Sequence, residues 1–289
     1  MGEPGPKFEA RPPVGPLAYD HPDTECDGWS TPLVTLRFAS VRGAKHRYYR
    51  QPRQDAARAA VHEPTGSTVF AVADGVSSAV QAELGAAEAC RTAVSRMLDL
   101  LTEQPGPLDL EDVAHHAADR LRELATCDMS GREPQLGEVA DRYATTLVFG
   151  VAYADPEGHA VDIGRIGDSG AWVLDLASGT YQALFESKTG SDSAVVSNEV
   201  HPLPQVPDPL PTVGIRPVPG QAVLIATDGF GDPLGDGDGA VGALFTRNLG
   251  APEYPSPPWL AHLLDFSKET FDDDRTLLAI WPSGEAAAR

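Results

Sequence analysis

The stretch Val69-Phe70-Ala71-Val72-Ala73-Asp74-Gly75 is the most informative part of this 289-residue chain. An unbroken apolar run of this length is typical of a buried β-strand, which the Asp-Gly pair then ends. The stretch Ala222-Val223-Leu224-Ile225-Ala226-Thr227-Asp228-Gly229 repeats the pattern, and the acidic run Asp272-Asp273-Asp274 precedes the last apolar run. Each Asp-Gly pair alone is an ordinary turn signal. Together, carboxylates held at strand ends would repel each other unless a cation lay between them, so the recurrence predicts a metal site.

The residue types fit a hard divalent cation such as magnesium or manganese, which takes oxygen ligands. Asp74, Asp228 and Asp273 each lie at a strand end, where a rigid scaffold can fix their direction. A glycine after the first two permits close approach of the backbone, so the carbonyl of Gly75 can also serve as a ligand. Asp55 offers a further carboxylate shortly before the strand that ends at Asp74.

Charge and cysteine content exclude several classes of protein. The formal net charge of −20 argues against nucleic acid as a partner and disfavours docking on an anionic membrane. The three cysteines show no C-x-x-C spacing, so we expect neither a disulfide framework nor a cysteine-rich zinc site, and Cys90 is expected to be a buried free thiol. We find no leader and no apolar run near 18 residues, and therefore expect a cytoplasmic protein without a membrane span.

Strand clusters interrupted by a pair of helices indicate an α+β fold. Residues 1–30 are rich in proline, glycine and charge, and we expect them to form a flexible tail before a domain over 31–283, with 284–289 as a frayed end. The predicted elements are strands over 33–38 and 67–73, amphipathic helices over 80–101 and 110–124, strands over 145–153, 160–166 and 171–176, an irregular segment over 185–220, a strand over 222–227, a Gly/Asp loop over 231–240, a helix near 259–270 and a strand over 277–281.

Six short segments follow one another along about residues 33–282. The segments are Arg50-x-x-x-Gln54-Asp55-Ala56, Phe70-Ala71-Val72-Ala73-Asp74-Gly75-Val76, Ala144-Thr145-Thr146, Ile166-Gly167-Asp168-Ser169, Thr227-Asp228-Gly229-Phe230 and Asp273-Asp274-Arg275-Thr276. They occur in the order found in protein phosphatase 2C, the metal-dependent serine/threonine phosphatases, and the chain resembles the bacterial branch of that family.

The resemblance implies a four-layer α-β-β-α sandwich, with two central antiparallel sheets flanked by helix pairs and two metal ions at one end. It implies that Asp74, Asp228 and Asp273 hold Mn²⁺ or Mg²⁺, with Asp74 bridging the two ions and Gly75 contributing its carbonyl. Asp55 would orient water on the second ion.

Two further residues have roles that the resemblance implies. Asp168 matches the aspartate of a third, weaker ion. Arg50 lies five residues before Asp55, where the family places its phosphate-binding arginine; Arg47 and Arg53 remain alternatives. We interpret His46 as an exposed or capping residue.

The implied activity is hydrolysis of phosphoserine or phosphothreonine in proteins by a hydroxide shared between two metal ions. The implied partners are a phosphoprotein substrate and a serine/threonine kinase or another regulatory protein. Gln54, Val76 and Gly170 depart from the family pattern at positions that bear on metal affinity and leaving-group protonation. They leave open an alternative, a catalytically weak or inactive phosphatase-like domain that binds phosphoproteins or partners.

Overall fold

The computed structural model describes residues 11–15, 17–104, 106–185 and 201–284, which form two antiparallel sheets with helices on both outer faces. The strands are β1 (Thr24–Ser30), β2 (Val34–Val41), β3 (Asp55–His62), β4 (Ser67–Asp74), β5 (Leu147–Asp155), β6 (Gly158–Ile166), β7 (Gly170–Asp175), β8 (Thr180–Ala183), β9 (Thr212–Ile215), β10 (Gln221–Ala226) and β11 (Arg275–Pro282). The helices are α1 (Ala44–Tyr49), α2 (Ala82–Glu103), α3 (Leu110–Asp128), α4 (Leu136–Tyr143), α5 (Asp228–Leu234), α6 (Ala240–Leu249) and α7 (Pro257–Leu264).

The strands divide into a six-stranded and a five-stranded sheet. The first has the order β1-β2-β11-β10-β7-β8 and the second β3-β4-β5-β6-β9. A core of alternating residues such as Phe70, Ile225 and Ile280 fills the space between the sheets. Helices α2 and α3 cover the outer face of the five-stranded sheet, while α6 and α7 cover that of the six-stranded sheet. The predicted α-β-β-α order of layers is therefore present.

Burial on both faces explains the continuous apolar runs. In β4, Val69 and Ala71 pack toward the helices, whereas Phe70 packs into the core between the sheets. In β11, Leu277 packs toward the helices and Leu278 toward the opposite sheet. Since successive side chains of a strand point to opposite faces, a strand covered on both sides must be apolar throughout.

The two predicted long helices are confirmed as α2 and α3. Asp109 caps α3, since its Oδ1 accepts hydrogen bonds from the backbone N–H groups of Glu111 and Asp112, at 3.1 Å each. The buried residues of α3 recur at helical spacing, which places one apolar face against the sheet layer.

Four predictions about local structure were wrong. Residues 24–30 of the expected tail form β1, which pairs with β2 although it contributes few apolar side chains. Within the segment expected to be irregular, residues 212–215 form the edge strand β9 beside β6. The expected loop over 231–240 is shortened by α5 and α6, and the last helix, α7, ends at Leu264 because its apolar pattern stops there. The rest of the predicted flexible tail, irregular segment and frayed end lies outside the described residues, at 1–10, 186–200 and 285–289 respectively.

No helix within the described residues is both long enough and apolar enough to cross a membrane.

Candidate metal centre

Two carboxylates meet at one end of the five-stranded sheet because of strand pairing. Asp55 begins β3 and Asp74 ends β4, and the two residues are register partners in the antiparallel pair. Side chains of direct partners lie on the same face of a sheet and close together. The apolar run that ends at Asp74 therefore delivers its carboxylate to a fixed position beside Asp55.

Two more carboxylates reach the same end from the six-stranded sheet. Asp228 follows β10 and begins α5, while Asp273 precedes β11. The backbone N–H of Thr227 donates to the carbonyl of Thr276 at 3.2 Å and holds these two strand ends together. The negative charges of Asp228 and Asp273 both raise the pKa of Asp74, so the predicted ligands from the two sheets converge.

A chain of hydrogen bonds orients Asp55, which is 3% exposed. Its Oδ2 accepts from Thr227 Oγ1 at 2.8 Å and from Thr276 Oγ1 at 2.7 Å. Thr276 Oγ1 uses its proton for Asp55 and therefore accepts a hydrogen bond from Ser40 Oγ, which lies 2.6 Å away. Ser40 Oγ in turn accepts from Arg53 Nη1 at 2.7 Å. Sequence reasoning missed the two threonines. The sequence signal that could have identified them is their place next to the acidic motifs at Asp228 and Asp274.

Burial and crowding raise the pKa values of the converging carboxyl groups. Burial and the charge of Asp274 raise the pKa of Asp55 to about 8. Burial and the charges of Asp55 and Asp228 raise the pKa of Asp74 well above its usual value. Burial also raises that of Asp228, whose carboxylate accepts a hydrogen bond from Asp74. Carboxylates placed this way favour a shared proton or a cation.

The glycines of both Asp-Gly pairs are required by close packing, as predicted. A Cβ on Gly75 would lie 2.5 Å from the carbonyl oxygen of Ala82, at the start of α2. A Cβ on Gly229 would collide with the carbonyl oxygen of Asp274. The absence of a side chain therefore lets the two Asp-Gly turns press against neighbouring backbone.

Asp274 is buried and held by backbone amides, a role that the sequence did not reveal. Its Oδ1 accepts from the N–H of Gly43 at 2.7 Å and its Oδ2 from the N–H of Gln54 at 2.6 Å. His46 Nδ1 lies 2.9 Å from the same Oδ2. Burial opposes the charge of Asp274, but His46 and the backbone hydrogen bonds outweigh it and lower the pKa of this carboxyl.

His46 is buried, at 1% exposure, and the interpretation of an exposed or capping residue was wrong. Burial alone would lower its pKa, but contact with the Asp274 carboxylate raises it. His46, Asp273 and Asp274 each offer a ligand atom within 4.8 Å of the others. The imidazole is therefore part of the acidic end of the sandwich.

The three candidate arginines differ in their partners. Arg47 pairs with Asp23 and Asp265, at 2.8 Å each, and Arg53 pairs with Glu25 at 2.8 Å. Arg50 is exposed, and its Nε donates to the Pro12 carbonyl at 3.3 Å. Within the described part of the chain, Arg50 is the member of the trio that forms no ion pair with a carboxylate.

Asp168 lies in the turn between β6 and β7, and Gly170 is the first residue of β7. Asp168 is exposed, and its charge raises the pKa of Asp228, which places it near the cluster. Gly170 departs from the family pattern for a steric reason, because a Cβ there would collide with the indole ring of Trp172.

The donor set fits hard divalent cations. Asp74, Asp228 and Asp273 supply carboxylate oxygens from three strand ends, and burial penalises the charges of Asp74 and Asp228 unless a cation compensates. Gln54 Oε1 is a further buried oxygen, and it has no hydrogen-bond partner among the residues that the structure describes. A divalent cation would compensate the clustered negative charges at this end of the sandwich.

Comparison with known proteins agrees with this chemistry. A family model described as protein phosphatase 2C matches residues 42–265. The search of curated proteins found no match.

Three solved structures share the fold. MsPP from Mycobacterium smegmatis, a PPM serine/threonine phosphatase solved with cacodylate, is 19% identical, with a TM-score of 0.56 over 87% of this chain and 99% of that chain. The catalytic domain of the serine/threonine phosphatase PstP, solved with two manganese ions, is 18% identical, with a TM-score of 0.54 over 86% of this chain and 99% of that chain. RsbX, solved with magnesium, is 11% identical, with a TM-score of 0.51 over 90% of this chain and 100% of that chain. These matches confirm the predicted fold class.

Proposed function

Because the chain belongs to the protein phosphatase 2C family, we propose that its strand-end carboxylates bind Mn²⁺ or Mg²⁺ and that the enzyme hydrolyses phosphoserine and phosphothreonine in proteins. The family membership bears out the predicted enzyme class, a metal-dependent serine/threonine phosphatase. The observation that carries the assignment of the site is the convergence of Asp74 with Asp55 and Asp228 in a buried position, where burial and the charges of Asp55 and Asp228 raise the pKa of Asp74.

We assign the metal ligands as Asp74, the Gly75 carbonyl, Asp228 and Asp273, with Asp168 for an additional, weaker ion. Two divalent ions held together supply Lewis acidity and lower the pKa of bound water. Asp74, the register partner of Asp55 and a neighbour of Asp228, would be the ligand that both ions share, as the resemblance to the family implies.

The remaining residues orient the reactants. Asp55, fixed by the hydroxyls of Thr227 and Thr276, accepts hydrogen bonds from water and fixes its direction toward phosphorus. Arg50 binds the phosphoryl oxygens of the substrate. It is exposed and forms no ion pair with a carboxylate among the described residues.

A cysteine-based mechanism is disfavoured by the surroundings of the buried thiol. Cys90 lies on α2 and is fully buried against the five-stranded sheet, and burial raises its pKa, so the reactive thiolate is suppressed. The direct attack of water that we propose forms no covalent phosphoenzyme, so it needs no protein nucleophile.

We further infer a bacterial, cytoplasmic signalling role, with a serine/threonine kinase or another regulatory protein as the partner. All three cysteines are free thiols, which is typical of a reducing compartment. The similarity to MsPP from Mycobacterium smegmatis supports a bacterial origin.

Turnover by the wild-type chain tests the proposed function. We expect Mn²⁺-dependent hydrolysis of p-nitrophenyl phosphate and of a phosphothreonine peptide, abolished by EDTA and restored by excess Mn²⁺. Calorimetric titration with Mn²⁺ in parallel separates the alternatives. Metal binding without hydrolysis of either substrate would favour a phosphoprotein-binding regulator, and the absence of Mn²⁺ binding would contradict the metal site itself.

A further inference from the structure

His46 stands between two carboxylates and makes contact through both ring nitrogens. Its Nδ1 lies 2.9 Å from Asp274 Oδ2, and its Nε2 lies 3.6 Å from Asp273 Oδ1. Neither contact meets the criteria of a regular hydrogen bond, and both are ion-pair contacts of a protonated imidazole. At 1% exposure the imidazole has no freedom to turn into solvent.

Asp274 is held in a fixed position beside His46 by backbone hydrogen bonds. Its two oxygens accept from the backbone amides of Gly43 and Gln54, which lie before and after α1. Gly43 also packs directly against the backbone of Asp273, where a side chain would collide. The loop that carries Asp273 is therefore clamped to the segment that carries His46.

Asp273 itself has weaker support. Its side chain is 43% exposed, and its Oδ1 accepts from the N–H of Asp274 at 2.9 Å. Lys45 Nζ lies 3.5 Å from Oδ2 but is 37% exposed, and a solvated pair of this kind contributes little. Among these contacts, His46 is the buried side chain that faces the carboxylate.

We propose that His46 is a positioning residue that fixes the Asp273 carboxylate for metal binding, with Asp274 holding the imidazole in place. The inference rests on the proposed function, because Asp273 is assigned there as a metal ligand. Replacing a residue that contacts a metal-binding carboxylate, but not the metal itself, typically lowers metal affinity by about 10–100-fold.

The alternative is that His46 itself binds metal through Nε2. Nδ1 of His46 is turned toward the Asp274 carboxylate, so Nε2 is the nitrogen that either role would use. A positioning residue acts only through Asp273, whereas a ligand would contribute independently, so the two roles separate in a double-mutant cycle.

The test is calorimetric titration of the metal-free protein with Mn²⁺. His46→Asn keeps a donor near the position of Nδ1 but has no atom near that of Nε2, and we expect about a 10-fold loss of affinity for at least one ion. His46→Gln places an amide N–H near the position of Nε2, and its affinity should stay within about 3-fold of the wild type. Lys45→Gln, the matched control on the other oxygen of Asp273, should change affinity by less than about 2-fold.

The cycle with Asp273 decides the mechanism. In an Asp273→Asn background, His46→Asn should cause no further loss of Mn²⁺ affinity. An equal loss in both backgrounds would show independent binding by His46 and overturn the proposal, as would wild-type affinity of His46→Asn. A wild-type chain that binds no Mn²⁺ would contradict the proposed function instead.

A measurement on the wild-type chain covers the case in which His46→Asn does not fold. With ¹⁵N-labelled histidine, titration with diamagnetic Mg²⁺ should shift the Nε2 resonance of His46 in step with metal saturation. The resonances of His115 and His116, which lie on α3, serve as internal controls. An Nε2 resonance that stays fixed at saturation would overturn the proposal.

Discussion

Asp55 and Asp74 lie directly opposite each other at the end of β3 and β4. Like charges on directly opposite residues destabilise a sheet, and here both groups are buried. Asp228 adds a third carboxyl group from the other sheet. The end of the sandwich is thus built to favour a positively charged occupant, at some cost to the stability of the metal-free chain.

The metal-free protein should lose stability as pH rises. Burial raises the pKa of Asp55 from 3.8 to about 8, so between these values the folded state holds a proton that the unfolded chain releases. Stability falls with pH wherever the folded state binds more protons, so the free energy of unfolding in EDTA should decrease from about pH 4 to about pH 8. Urea denaturation at pH 5 and pH 8 measures the difference. Saturating Mn²⁺ should reverse the trend, because metal binding requires deprotonated ligands. A metal-free stability that increases over this interval would contradict the account.

Removing the Thr276 hydroxyl should weaken the site and the fold together. Thr276→Val leaves the Asp55 carboxylate with one fewer donor, and we expect a loss of about 1–3 kcal/mol in the free energy of unfolding. Mn²⁺ affinity, measured by calorimetry, should fall about 10-fold. Thr126→Val is the matched control, since its hydroxyl donates to the Arg122 carbonyl on an exposed helix surface, and it should change stability by less than about 0.5 kcal/mol. Equal effects of the two substitutions would refute a special role for the Asp55 hydrogen bonds.

A single added methyl group at the first Asp-Gly turn should be strongly destabilising. Gly75→Ala forces a Cβ to within 2.5 Å of the Ala82 carbonyl, and overpacking of this kind costs about 1–3 kcal/mol. Gly137→Ala, in α4, is the control. A Cβ there meets no atom of the described chain within 4 Å, and alanine favours a helix over glycine by up to about 1 kcal/mol. Thermal unfolding of both variants measures the contrast, and a Gly75→Ala protein as stable as the wild type would show that the turn can open.

Arg50 should affect substrate binding more than stability. If Arg50 binds the phosphoryl group, Arg50→Ala should raise KM for a phosphothreonine peptide by about 10-fold or more while the melting temperature stays near that of the wild type. Arg47→Ala removes pairs with Asp23 and Asp265 and should lower the melting temperature with a smaller change in KM. The reverse pattern in steady-state kinetics would transfer the phosphate-binding role from Arg50 to Arg47.

Local sequence signals were sufficient for the strand-end aspartates but not for their surroundings. The buried run ending at Asp74 and the repeated pattern at Asp228 predicted both carboxylates and the need for the glycines that follow, because these features depend on neighbouring residues. The role of Asp274 depends on amides of Gly43 and Gln54 that lie more than 200 residues away, so no local pattern reveals it.

Edge elements were missed for a related reason. The strand β1 exposes much of its length and alternates weakly, and its main stabilisation is the ladder with β2. The strand β9 is four residues long and depends on β6 in the same way. Short edge strands carry little apolar pattern of their own, so sequence reasoning assigned both to irregular chain.

The most direct test of the proposed metal centre is the rate of phosphate release from a phosphothreonine peptide, with Mn²⁺, by the wild type and by Asp74→Asn. We expect Mn²⁺-dependent turnover by the wild type and a loss of about 10³-fold or more in Asp74→Asn, since the ligand assigned to both ions is gone. Asp119→Asn, an exposed carboxylate on α3 paired with Arg122, should retain wild-type activity. An Asp74→Asn protein that releases phosphate at the wild-type rate would contradict the assignment of this carboxylate cluster as the catalytic metal centre.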